Sequence, residues 1–208
     1  REKSISTIYE KNGIKYAFIS YTIWTNGLET PRGKEYLNNV YSEEKAKADI
    51  AKVKDKADII IVAMHWGTEY SLGVDWQQTK IANFLASQGV GLIIGAHPHV
   101  VEPITYINDT LVIYSLGNFI SNQLFLNENA GTGMYATVDI VVREDGKVEF
   151  ENLDYELILS YADNNTSSAD NSRNFKVIPY SKLTEELLPN YKAVQSELEG
   201  YVERYMEI

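Results

Sequence analysis

Cysteine is absent from the 208 residues. That removes disulfides, thiolate metal sites and cysteine nucleophiles from consideration. The absence fits a reducing compartment as well as an exported protein that does without disulfides. Basic residues are also in short supply: 19 Lys and Arg face 29 Asp and Glu, for a formal net charge of −10. Such a chain has no bulk electrostatic attraction for nucleic acid or anionic lipid, and no nucleic-acid partner is expected. An anionic substrate stays compatible, because a bound cation inverts the field locally. Long apolar runs are missing too. The longest, around Ile59 to Trp66, is far too short to cross a bilayer. There is no signal-peptide pattern. The sequence starts at Arg1 and enters a strand-like run, Ser4 to Tyr9, almost at once, which reads as a piece of a longer protein.

What is present is ordinary for a globular fold, with 44% hydrophobic and 23% charged residues, enough for one domain with a substantial core. Residues 4–22 read as a hairpin turning at Asn12-Gly13. Residues 24–41 are polar and hold Gly27, Pro31 and Gly33, so they read as a long loop. Ser42 can cap a helix whose apolar stripe is Ala46, Ile50, Val53 and Ala57. The run Asp58 to Met64 then has the continuous apolar character of a strand buried on both faces. Asp75 and Gln78 form a capping pair for a helix through Gln88, with Gly89 as its stop. A second buried strand, Gly91 to Ile94, follows. Strand, helix and strand in that order imply a βαβ unit with adjacent parallel strands.

Beyond Val101 the pattern becomes antiparallel. Ile104–Ile107 and Leu111–Ser115 flank Asn108-Asp109, and Met134–Arg143 and Lys147–Leu159 flank Asp145-Gly146. Residues 160–174 are rich in Ser, Asn and Asp and read as a mobile linker. A last helix is expected from near Pro189, with Tyr191, Val194, Leu198, Tyr201, Val202 and Tyr205 on one side. The predicted organisation is an α/β domain over 1–160, then a linker and C-terminal helix over 161–208.

All three histidines fall at one edge of this predicted sheet. His65 follows the first buried strand; His97 and His99 follow the second. Ligand sites in open α/β sheets lie outside the carboxyl ends of the strands, so the three imidazoles can reach one crevice. Imidazole suits zinc, manganese and iron, and a His-x-His spacing in an extended loop sends its two rings in different directions. Pro98 stiffens that loop, and Gly95 permits close approach or an unusual backbone angle. A lone histidine at a strand end is, equally, an ordinary hydrogen-bonding residue; it is the concentration of all three that points to a metal. Ser115 has no obvious base beside it, and the Gly89-Val90-Gly91 run is not a phosphate loop.

Three blocks also match a known family. His65-Trp66-Gly67-Thr68-Glu69-Tyr70, Gly95-Ala96-His97-Pro98-His99 and Tyr114-Ser115-Leu116-Gly117-Asn118-Phe119 resemble, in order and spacing, blocks of the CapA family of bacterial poly-γ-glutamate capsule synthesis proteins. That family is similar in fold to calcineurin-like metallophosphoesterases, α/β sandwiches with a dinuclear centre. The resemblance implies metal ligation by His65 and His97 on one ion and by His99 on the other, the ions being Mn, Fe or Zn, with metal-assisted phosphoester hydrolysis as the chemistry. Glu69 can accept a hydrogen bond from a ligating imidazole or from a metal-bound water; it reads equally as an exposed loop carboxylate. Trp66 and Tyr70 can line the crevice or serve as ordinary packing residues, and the Asn118 amide can contact substrate or simply suit a turn.

The sequence departs from the superfamily in one large respect. The earlier Asp-x-His, Gly-Asp and Asn-His blocks are absent, so the likeness is to the C-terminal half of the domain alone. The chain by itself is therefore expected to hold metal weakly and not to turn over phosphoesters. Its expected partners are the absent half or a second copy, together with other capsule synthesis proteins. The expected location of the whole protein is the bacterial cell envelope. A non-catalytic accessory role in capsule synthesis, and a small binding domain with structural histidines, are the competing readings. Smaller departures are Glu102, where the family often has Gln, and Asn122, where it often has Asp before Gln123.

Overall fold

A computed structural model of the chain describes residues 7–123, 128–162 and 174–206. Strands β1 (Thr7–Lys11) and β2 (Ile14–Thr22) form the expected hairpin. Asn12 and Gly13 both take positive φ, 55° and 81°, as a tight two-residue turn requires. Residues 4–6 of the expected hairpin lie outside the described residues. Helix α1 (Glu43–Val53) starts where Ser42 Oγ accepts the Lys45 amide. Strand β3 (Ile59–His65) follows, then α2 (Trp76–Ser87), whose start is a full capping box between Asp75 and Gln78. Strand β4 (Leu92–Ala96) completes the βαβ unit, parallel and adjacent to β3.

Strands β5 (Ile104–Ile107) and β6 (Thr110–Ile113) form a hairpin, and β6 also pairs in parallel with β4. The resulting six-stranded sheet runs β1-β2-β3-β4-β6-β5. A second, antiparallel sheet contains β7 (Thr132–Val142), β8 (Val148–Ala162) and β9 (Phe175–Pro179). Helix α3 (Tyr191–Val202) ends the fold. The fold class expected from sequence, a βαβ unit followed by antiparallel strands, is the one observed.

Two apolar clusters flank the first sheet. On one side Ala46, Ile50 and Val53 of α1 and Ile81, Ala82 and Leu85 of α2 pack on Ala17, Ile19, Val62, Met64 and Ile93. On the other, Ile59, Leu92, Leu111 and Ile113 meet Met134, Leu157 and Leu159 of the second sheet and Leu198 and Val202 of α3. Both faces of β3 and β4 are thus covered, which is why their sequences are apolar without alternation.

Three expectations need revising in the C-terminal part. The segment read as linker plus helix also holds β9, which pairs with β8 from Ile158↔Pro179 to Ala162↔Phe175. Its five residues end in proline and follow a polar stretch, so periodicity was too short to show. Ser160 to Ala162, placed in the linker, extend β8; residues 163–173 of that linker lie outside the described residues. Tyr205, placed on the apolar side of the last helix, lies beyond the helix end and is exposed.

Candidate metal centre

The parallel register brings three strand ends together. Thr22 pairs with His65, and His65 with Ala96, so His97 emerges beside His65 at the carboxyl edge of the sheet. The His65 and His97 ring centroids are 4.3 Å apart, and those of His97 and His99 6.1 Å. Donor atoms of Glu69, His97 and His99 lie within 4.8 Å of one another. The carboxylate expected to stand behind the imidazoles thus joins His97 and His99 in the group whose donors converge most closely, with His65 against His97.

The loop is strained. His97 has φ 107°, His99 φ 63° and Tyr70 φ 63°. Non-glycine residues in this region cost on the order of 1–3 kcal/mol each, and such strain concentrates where a site demands a particular side-chain direction. Steric pressure from Pro98 disfavours this backbone angle at His97 in particular. The loop is held against it by backbone bonds, Trp66 N–H to Ala96 O at 3.0 Å and Tyr70 N–H to Pro98 O at 2.7 Å.

The electrostatics suit a cation. Burial, followed by the neighbouring His99, holds the His65 imidazole below its ordinary value; burial and then His65 do the same at His97. Burial thus favours the neutral form of both, the form with a lone pair to donate. His97 Nε2 is buried and has no hydrogen-bond partner. A buried polar atom without a partner is costly, and a metal ion is one group that satisfies an unprotonated imidazole nitrogen. The residues present therefore fit a divalent ion.

The remaining expected site residues divide. Tyr70 stacks on His99 at 5.9 Å and borders the site. Trp66 does not line the crevice. It is fully buried, donates its indole N–H to Tyr114 O at 2.9 Å and stacks on Tyr114 at 5.7 Å. Next to His65 at the end of β3, its ring turns to the helix-covered side of the sheet and joins the core there. Asn118 does not present its amide to a substrate either. Its Nδ2 donates to Ala130 O and Gln123 Oε1, and its Oδ1 lies 2.9 Å from His99 Nδ1. Three contacting residues escaped the sequence reading: Thr22, hydrogen-bonded to His65 Nδ1; Gln123, 3.4 Å from His99 Nε2; and Trp24, edge-on to His97 at 5.5 Å. The available signal was Thr22 at the end of a strand parallel to β3, legible only once β2 and β3 are known to be neighbours.

These features define an α/β protein with a candidate metal centre of imidazoles and a carboxylate at the carboxyl edge of its parallel strands. Residues 1–123 match the family described as bacterial capsule synthesis protein PGA_cap, and the chain belongs to that family. All three sequence blocks fall within the match. The PGA biosynthesis protein CapA of Bacillus subtilis (strain 168) is 36% identical over 121 residues, covering 54% of this chain and 32% of the relative. The capsule biosynthesis protein CapA of Bacillus anthracis is 32% identical over 111 residues, covering 53% of this chain and 26% of the relative. The match thus spans about a third or less of the length of these relatives. Among solved structures, a hypothetical protein from Thermus thermophilus overlaps 74% of this chain and 61% of its own at a TM-score of 0.43 and 15% identity. The NAD nucleotidase NadN of Haemophilus influenzae overlaps 92% of this chain and 37% of its own at a TM-score of 0.38 and 14% identity. At those scores neither adds to the assignment.

Proposed function

We propose that this chain is the metal-binding part of a protein of poly-γ-glutamate capsule synthesis at the bacterial cell envelope, and that the whole protein is a metal-dependent phosphoester hydrolase. The capsule assignment draws on the family and on the two relatives. The observation that carries the metal reading is the convergence of Glu69, His97 and His99 beside His65, with a buried, partnerless Nε2 on His97. Neutral imidazoles with one carboxylate suit Mn, Fe or Zn. A divalent ion bound there supplies a Lewis acid for a phosphoryl oxygen. The chain's own residues hold and orient it: the strained loop aims His97 and His99, and Tyr70 and Trp24 wall their rings. No helix among the described residues is long and apolar enough to cross a membrane.

The test has two stages. In this chain alone, zinc or manganese is expected to bind weakly by equilibrium dialysis, and His97→Ala to weaken it further by roughly 100-fold or to below detection. In the full-length protein with manganese, a generic phosphoester is expected to be hydrolysed and His97→Ala to abolish turnover. No turnover, with the variant indistinguishable from wild type, would sink the hydrolase. A second reading, an accessory protein with a structural metal, has one observation behind it. Among the described residues the donors form one group with a single carboxylate, whereas a two-metal clamp needs bridging oxygen ligands.

We also propose that the exposed apolar surface of the first sheet around Phe18 of β2 is covered in the whole protein by further polypeptide or by a second copy. Phe18 on β2 is 43% exposed. Beside it runs a groove of about 570 Å³ lined by Ile14, Tyr16, Ile59, Ile61, Val138 and Ile140, between the first sheet and β7. Apolar surface of that kind favours association. The chain alone is expected to self-associate in light scattering as concentration rises, and Phe18→Lys to reduce it; a strict monomer at the highest attainable concentration would count against this.

A further inference from the structure

The hydrogen bonds around two of the histidines can be settled proton by proton. Thr22 has one hydroxyl hydrogen. Its Oγ1 lies 2.6 Å from the Trp24 carbonyl oxygen, which can only accept, so the hydrogen is used there. The same Oγ1 lies 2.9 Å from His65 Nδ1. With its hydrogen committed, the hydroxyl accepts, and Nδ1 is the protonated nitrogen. A neutral imidazole carries one N–H, so Nε2 of His65 holds the lone pair.

Asn118 gives His99 the same treatment. The atom 2.9 Å from the Ala130 carbonyl must be the amide nitrogen, which fixes the orientation of the side chain. The other atom, 2.9 Å from His99 Nδ1, is then the carbonyl oxygen and accepts from Nδ1–H. Gln123 agrees. Its Oε1 accepts from Asn118 Nδ2 at 3.1 Å, so its Nε2 is the donor facing His99 Nε2, at a long 3.4 Å. Thr22 and Asn118 reach the two rings from different elements, Thr22 at the end of β2 and Asn118 after β6.

We propose that Thr22 and Asn118 are positioning residues that preset His65 and His99 as Nδ1–H tautomers and leave Nε2 of each as the metal-donating atom. The assignment rests, for its purpose, on the metal reading above; the tautomers themselves do not. Free histidine prefers the opposite tautomer, so without these partners part of each imidazole population presents the wrong nitrogen. Groups that orient a ligating imidazole through its other nitrogen typically contribute about 10–100-fold in metal affinity. Thr22 has a further function in the same geometry: by holding the Trp24 carbonyl it fixes the turn that sets the Trp24 ring against His97.

The test reads imidazole nitrogens directly. Long-range ¹H–¹⁵N spectra of the metal-free chain at about pH 8, above the ordinary imidazole range, are expected to show His65 and His99 with Nδ1 protonated and Nε2 bare. A wild-type spectrum with Nε2–H on His65 or His99 overturns the assignment and needs no variant. Thr22→Val is expected to mix or reverse the His65 tautomer, leave His99 unchanged and weaken zinc roughly tenfold; Thr22→Ser is expected to restore both. Asn118→Ala is expected to do the same to His99 alone. If zinc binds and Thr22→Val changes neither the His65 spectrum nor the affinity, the positioning role falls and the metal reading stands. If wild type binds no zinc while the spectra are as expected, the metal reading falls and the tautomer assignment stands.

Discussion

Gly95→Ala is expected to destabilise the protein by about 4 kcal/mol or more, near the top of the range for a single substitution. The glycine lies in β4, two residues before His97, where β4 and β6 approach each other. A Cβ there would sit 1.8 Å from the Tyr114 carbonyl oxygen and 2.5 Å from Trp66 Nε1. The clash is with backbone, which cannot swing aside as a flexible side chain can. Relieving it means parting β4 from the chain at the end of β6, and two hydrogen bonds go with the movement. Leu116 N–H donates to Gly95 O at 3.2 Å, and Trp66 Nε1–H to Tyr114 O at 2.9 Å. Overpacking typically costs about 1–3 kcal/mol, and a buried indole N–H left without an acceptor about as much again. With domain stabilities of about 5–15 kcal/mol, little would remain.

Urea unfolding of the purified variant measures the effect, and Gly200→Ala is the control. Gly200 lies within α3 with open space where a Cβ would go. Alanine there is expected to stabilise by about 0.5–1 kcal/mol, through helix propensity alone. A Gly95→Ala variant that unfolds within about 1 kcal/mol of wild type would show that the sheet yields more easily than this geometry allows. Because the loop to His97 starts at this point, whatever fraction of the variant folds is also expected to lose zinc binding.

How far such features could be read from sequence depended on whether their signal was local. The apolar runs of β3 and β4, the Asn12-Gly13 turn and the Asp75–Gln78 capping box are all written in neighbouring residues, and all appear where expected. So does the gathering of His65, His97 and His99, because strand, helix, strand forces adjacent carboxyl ends. What sequence did not carry was direction and non-local pairing. His65 and Trp66 are neighbours in the chain, yet one faces the crevice and the other the core beneath α1 and α2. Asn118 sits in a block shared with the family, and its neighbours in space rather than in sequence give its amide to His99. Glu69 is an exposed loop carboxylate in the structure too, and what sequence could not show is that its donor atom lies within 4.8 Å of those of His97 and His99. Thr22 needed the β2–β3 register, and β9 needed its partner strand. In each case the missing information was tertiary.

Glu102→Gln is expected to be the other large effect, with the opposite sign and a strong dependence on pH. Glu102 is fully buried beneath the histidine loop. Its Oε2 accepts from Gln78 Nε2 at 2.6 Å, and its Oε1 has no partner. Burial disfavours the carboxylate strongly, the Gln78 amide offsets part of this and Asp75 adds repulsion, so the group is pushed up to about 8 from an ordinary 4.5. Between those values the folded chain holds a proton that the unfolded chain has released. The contribution to stability is therefore complete below about pH 4.5, declines as pH rises through the window and is lost above about 8. At roughly 1.4 kcal/mol per pH unit the whole window is worth on the order of a few kcal/mol. Glutamine has the same shape, accepts the same bond from Gln78 and never ionises. Wild type and variant are expected to match in unfolding free energy near pH 4.5 and to diverge by a few kcal/mol in favour of the variant near pH 9. The difference between the two profiles isolates Glu102 from the other carboxylates, whose titrations are common to both. Parallel profiles would mean that water or a shift of Gln78 solvates the carboxylate in the folded state. The position where the resembling family often has glutamine is thus the one where an amide keeps the hydrogen bond to α2 and removes a buried ionisation from beneath the site.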